Sequence, residues 1–119
     1  MGRLITSTYP LTESASVILN ASGTGVAYIG PKNQNQIWKV RSVAVSVGSA
    51  TDEPVAKVYM NSVGQSNFLS GSYSGSQDTN DLGYEITLRP GTRFAVEWTG
   101  GDAGARATVT VYGTVEVGR

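Results

Sequence analysis

Between Tyr84 and Val117, apolar and polar residues alternate with almost no slip through three stretches separated by glycine turns. Tyr84, Ile86 and Leu88 share one parity, against Glu85, Thr87 and Arg89. After Pro90-Gly91, Phe94, Val96 and Trp98 oppose Arg93, Glu97 and Thr99. After Gly100-Gly101-Asp102-Ala103-Gly104, Ala107, Val109, Val111, Val115 and Val117 oppose Arg106, Thr108, Thr110, Tyr112, Thr114 and Glu116. A period of two sends successive side chains to opposite faces, so each stretch is a strand with one face in a core and the other wet. Antiparallel sheet is the arrangement that tolerates a wet face.

The rest of the chain extends the pattern. Val17-Ile18-Leu19 and Val26-Ala27-Tyr28-Ile29 flank Asn20-Ala21-Ser22-Gly23, a hairpin signature. The run Ile37 to Val47 changes parity midway, from Trp38 and Val40 to Val43, Val45 and Val47, which predicts a bulge near Arg41-Ser42. Ala56, Val58 and Met60 face inward on the next strand, with Lys57 and Tyr59 outward. Residues 61–83 read as a long Ser/Gly-rich loop containing at most a short strand at Phe68-Leu69, and residues 1–14 as an extended arm in which Pro10 blocks a helix. Seven or eight strands joined by turns and one long connection give an all-β fold: an antiparallel β-sandwich of jelly-roll type over residues 15–119, preceded by the arm.

Composition narrows the function classes. At 119 residues the chain makes one domain. Nine basic residues balance nine acidic ones, which gives no electrostatic case for nucleic acid or an anionic membrane as partner. No cysteine means no disulfide framework and no thiolate metal site; no histidine removes Ser-His-Asp and Cys-His nucleophile systems and His-ligated metals. No stretch is long and apolar enough for a signal peptide or a membrane span.

Few groups remain for chemistry. Asp78, Asn80 and Asp81 form the one dense oxygen cluster, which suits calcium but more commonly closes a turn on its own backbone. Glu85 and Glu97 flank the Pro90-Gly91 turn beside Arg89 and Arg93, a setting for cross-strand ion pairs more than for a glycosidase pair. Trp38 and Trp98 have the parity of core residues, whereas Tyr59, Tyr73 and Tyr112 are placed for exposure and for stacking on a sugar ring. No cofactor is implied, and the reading is of a non-enzyme.

Several segments carry a family likeness: Val58-Tyr59-Met60-Asn61-Ser62, the Ser70-Gly71-Ser72-Tyr73-Ser74-Gly75-Ser76 tract, Asp78 to Asp81, Leu88-Arg89-Pro90-Gly91, Val96-Glu97-Trp98-Thr99-Gly100-Gly101 and Gly104-Ala105-Arg106-Ala107-Thr108-Val109. From about Val26 to Val117 the chain resembles small β-sandwich virion proteins of tailed bacteriophages and prophages of actinobacteria. The resemblance implies a head decoration protein or a tail accessory protein, and no catalytic residue. On that expectation the chain is made in the host cytoplasm and resides in the virion. Its partners are the major capsid protein or other virion proteins, and it assembles as a homo-oligomer, a trimer at capsid threefold positions. A carbohydrate-binding module aiding host adsorption is the alternative. Arg3, Leu4, Ile5 and Tyr9 of the arm, with Tyr73, Asp78 and Asp81 of the long loop, are the candidate partner contacts.

Overall fold

The computed structural model describes residues 5–48, 54–73 and 77–118, with side chains for 7–48, 54–69 and 85–118. The described residues form eight strands: β1 (Ile5–Ile18), β2 (Gly25–Ile29), β3 (Gln36–Val47), β4 (Val55–Met60), β5 (Phe68–Tyr73), β6 (Gln77–Leu88), β7 (Phe94–Thr99) and β8 (Arg106–Gly118). One 3-10 turn, Gln65–Asn67, precedes β5. A long sheet has the order β1-β8-β3-β6 and a short sheet the order β2-β7-β4-β5.

The pairing is nested: β1 lies against β8, β2 against β7, β3 against β6 and β4 against β5, all antiparallel. The chain is therefore one long two-stranded ribbon, doubled back between β4 and β5 and rolled up, with β3–β8 and β4–β7 pairing closing the roll. That is the eight-stranded jelly roll expected from the sequence.

Between the sheets sits a core to which each strand gives its apolar parity. Phe94, Val96 and Trp98 from β7, Ala56 and Val58 from β4, and Ala27 and Ile29 from β2 meet Val40, Val43, Val45, Val47, Leu88, Val109 and Val111 from the long sheet. Burying a Val, Leu or Phe side chain contributes roughly 1.5–3 kcal/mol. Trp38 and Trp98 are both buried, as their parity requires.

The parity change in β3 is a bulge. Its register against β8 steps from Val40↔Gly113 to Ser42↔Tyr112, leaving Arg41 unpaired and exposed. The extra residue restores the inward direction for Val43, Val45 and Val47.

The structure corrects four expectations. The Asn20–Gly23 turn forms, with Gly23 at φ +72 and its N–H donating to the Asn20 carbonyl, and Asn20 Oδ1 accepts from the Ser22 and Thr24 N–H groups. It joins β1 to β2 across the two sheets and is not a hairpin. Likewise Arg89-Pro90-Gly91-Thr92, with Pro90 second and Gly91 at φ +92 third, has the residues of a type II turn but carries β6 in one sheet to β7 in the other. Glu85 and Glu97 thus belong to different sheets, so no acid pair exists. Within the supposed 61–83 loop, all of β5 and the first half of β6 are strand; Ser, Gly, Asn and Asp have poor strand propensity, and pairing with β4 and β3 overrides it. Finally, residues 5–14 are not a free arm but part of β1, where Pro10 is tolerated on an edge strand.

Candidate functional site

Three surfaces of the roll present side chains or backbone for recognition. The first is at the end of the short sheet, where β2 finishes and β7 begins. Asn61, just past β4, has φ +69, a left-handed conformation that asparagine accepts more readily than most residues. From there it holds Arg93 by three bonds: Asn61 N–H donates to the Arg93 carbonyl at 2.7 Å, Arg93 N–H donates to Asn61 Oδ1 at 3.2 Å, and Arg93 Nε donates to the Asn61 carbonyl at 3.2 Å. So fixed, the guanidinium lies over the Tyr28 ring, with Cζ 3.8 Å from the centroid, a cation–π contact. Tyr28, Ile29, Gly30, Pro31, Lys32, Asn61, Ser62, Gly91, Thr92 and Arg93 line a hollow of about 500 Å3 there. A second hollow of about 290 Å3 shares Tyr28, Ile29, Gly30 and Lys32 with it and reaches Glu13, Asn33 and Gln36.

The second surface is the outer face of the short sheet. Register places Tyr28, Ala95, Tyr59 and Phe68 in one row across its four strands. Tyr28 and Phe68 are exposed, but Tyr59 is only 7% exposed, contrary to the expectation from parity. Phe68 stands edge-on to it, with ring centroids 5.8 Å apart. Burial, the Glu97 charge and a hydrogen bond to Glu97 raise the Tyr59 pKa above the usual tyrosine value. A raised folded-state pKa contributes stability that is complete below pH 10.0 and lost as pH climbs through the folded value. Ultraviolet titration should therefore show a tyrosine ionising above pH 10.0 that Tyr59→Phe abolishes. A high-pH limb unchanged by Tyr59→Phe would contradict the placement.

The third surface is the long sheet's outer face and its free edge. Hydroxyl groups pair across strands, Ser14 with Thr110 at 2.7 Å and Ser16 with Thr108 at 3.0 Å, and Tyr112 is exposed as expected. Beside them β1 runs 14 residues as an edge strand, paired among the described residues with β8 alone.

The sequence-predicted contacts do not gather into one patch. Arg3 and Leu4 lie outside the described residues. Ile5 opens β1 opposite Gly118. Tyr9 is 43% exposed, and its hydroxyl accepts a hydrogen bond from Gln36 Nε2 at 3.0 Å. Tyr73 ends β5 in the short sheet, opposite Val55. Asp78 and Asp81 sit in β6 opposite Val45 and Ser42, so they are strand residues rather than turn residues. The side chains of Ile5, Tyr73, Asp78 and Asp81 are outside the described set. Because β1 and β6 are opposite edges of the long sheet, the N-terminal and Asp78/Asp81 candidates are separated by two strands. The Tyr28–Arg93–Asn61 cluster was not singled out from sequence; it depends on the β2–β7 pairing, which periodicity does not reveal. Among the described residues no group of three or more acidic side chains is placed to hold a metal ion.

No family model matches the chain, and no curated protein matches it. Solved structures do. The Yersinia pseudotuberculosis-derived mitogen superposes with a TM-score of 0.52 at 9% identity, covering 87% of this chain and 86% of the mitogen. A protein of Bacillus endospore appendages, described as disulfide-linked pili, gives a TM-score of 0.43 at 17% identity over 94% of this chain and 88% of its own. A chain of the infectious bursal disease virus particle gives 0.41 at 10% identity over 94% of this chain and 31% of its own. At these identities the likeness is one of β-sandwich fold alone.

Proposed function

We propose that this β-sandwich is a non-enzymatic structural protein of a tailed-phage virion, docking on the assembled head as a decoration protein. The observation that carries the reading is strand β1. It is the longest strand of the described fold, lies at the sheet edge with one side of its backbone unpaired among the described residues, and bears Tyr9 and Ile18 exposed at 43% and 52%. Such an edge is a ready template for strand addition by another polypeptide, and exposed aromatic and branched side chains add contact area. The face next to it presents the Ser14–Thr110 and Ser16–Thr108 hydroxyl pairs as further polar contact points. A rigid scaffold also limits the conformational entropy lost on docking. A protein that binds the assembled lattice and not free subunits would stabilise that lattice by mass action, and a trimer would match threefold lattice positions.

The test uses heads lacking this protein, incubated with purified chain and then sedimented. Wild-type chain should co-sediment at high copy number. The Tyr9→Lys/Ile18→Lys double variant leaves buried Leu11 and Leu19 untouched and should lose binding by about tenfold or more. Unchanged occupancy for the double variant would reject the β1 edge, and binding to isolated tails alone would reject the head.

A further inference from the structure

The geometry points to a second, independent property: the Tyr28–Arg93–Lys32 hollow is a binding site for acidic saccharides, sugar rings that carry a carboxylate or phosphate. Three observations converge. First, the hollow offers two cations, Arg93 and Lys32, and no carboxylate. Arg93 uses its backbone N–H and Nε on Asn61, leaving both terminal amino groups of the guanidinium without a hydrogen-bond partner among the described residues. Lys32 is exposed and likewise has no ion pair or hydrogen bond there, and Asn61 Nδ2 is free in the same sense. Arginine and lysine carry only donors, so a ligand that satisfies them must bring acceptors and negative charge. No acidic residue lines this hollow; Glu13 lies in the adjoining one, which Lys32 also borders.

Second, the arginine is pre-set. Its bonds to Asn61 and its stacking on Tyr28 fix the fork before a ligand arrives, which lowers the ordering cost of a bidentate contact to an oxyanion.

Third, Tyr28 is 46% exposed and lines both adjoining hollows. Arg93 covers one face of the ring, and the ring surface left exposed suits the apolar C–H face of a pyranose, with two adjoining hollows giving room for more than one sugar unit. Gly91, over which a Cβ would meet only open space, keeps the floor accessible. An unbranched lipid tail or a nucleobase needs a deeper apolar slot than this shallow, polar one. The combination of a fixed guanidinium, a mobile ammonium and a partly exposed tyrosine therefore selects for charged sugars over neutral ones.

The proposal is tested by calorimetric titration of the intact chain with a galacturonate trisaccharide, galactose 6-phosphate and the neutral galactose trisaccharide. Backbone amide shifts are followed in parallel. At least one acidic probe should bind with a millimolar or tighter Kd and weaken as salt rises, while the neutral sugar binds about tenfold more weakly. Shifts should centre on Tyr28, Gly91 and Thr92. Which acidic probe binds identifies the oxyanion. Lys32→Ala, a surface change that leaves the fold intact, and Arg93→Ala should each cost about tenfold in affinity. No binding of either acidic probe at about 10 mM overturns the proposal. So do equal binding of the neutral sugar, and undiminished affinity in Lys32→Ala. Head binding by the β1 edge is untouched by these substitutions, so either property can fail without the other.

Discussion

Gly113→Ala is expected to cost about 3 kcal/mol or more and to shift the unfolding midpoint of the whole domain. Glycine 113 faces the bulge of β3, where the extra residue Arg41 drives the two backbones together. A Cβ at 113 would collide with the Lys39 carbonyl oxygen and lie 3.1 Å from Val40 Cα. Both obstacles are backbone in the centre of a four-stranded sheet, so no side chain can rotate away. Relief requires the β3–β8 ladder to part, and that ladder closes the roll. Gly48→Ala is the control, since a Cβ there meets nothing within 4 Å and glycine there has no left-handed φ. Urea denaturation read by tryptophan fluorescence measures both; equal, small effects at the two positions would contradict the geometry at the bulge.

Trp98→Ala should cost roughly 3–5 kcal/mol, the range for removing a fully buried aromatic. Trp98 is 0% exposed and the largest of the fully buried side chains, seated opposite Gly25 and Ala56 in the short sheet. Its indole N–H has no hydrogen-bond partner among the described residues. A buried donor without a partner carries a desolvation penalty and returns nothing. Trp98→Phe keeps most of the ring volume and removes that donor, so it should cost far less than Trp98→Ala. Equal losses for the two variants would show that the N–H is bonded, and the core would then be more polar at this corner than the geometry indicates.

Periodicity made β2, β3, β4, β7, β8 and the second half of β6 legible in the sequence, with their core faces and the β3 bulge, because each depends on which side of its own strand a residue occupies. Partners were not legible. The three alternating stretches from Tyr84 to Val117 look like one continuous sheet, yet β6 and β8 lie in the long sheet and β7 in the short one. A turn such as Arg89–Thr92 has the same local chemistry whether it closes a hairpin or crosses between layers. The 61–83 stretch was misread for a related reason: its polar, glycine-rich composition is held as strand by neighbours distant in sequence. The Tyr28–Arg93 contact has the same origin, since it follows from β2 lying beside β7. Tyr59 shows the reverse error, an outward residue covered by Phe68 from the adjoining strand.

The nested pairing has a consequence for how the module can be joined to other proteins. Ile5 lies directly opposite Gly118, so both ends of the domain leave from the same corner. Closely spaced ends are what domain insertion and circular permutation require. A host protein could carry this sandwich between Ile5 and Gly118 in an ordinary surface loop without stretching its own backbone.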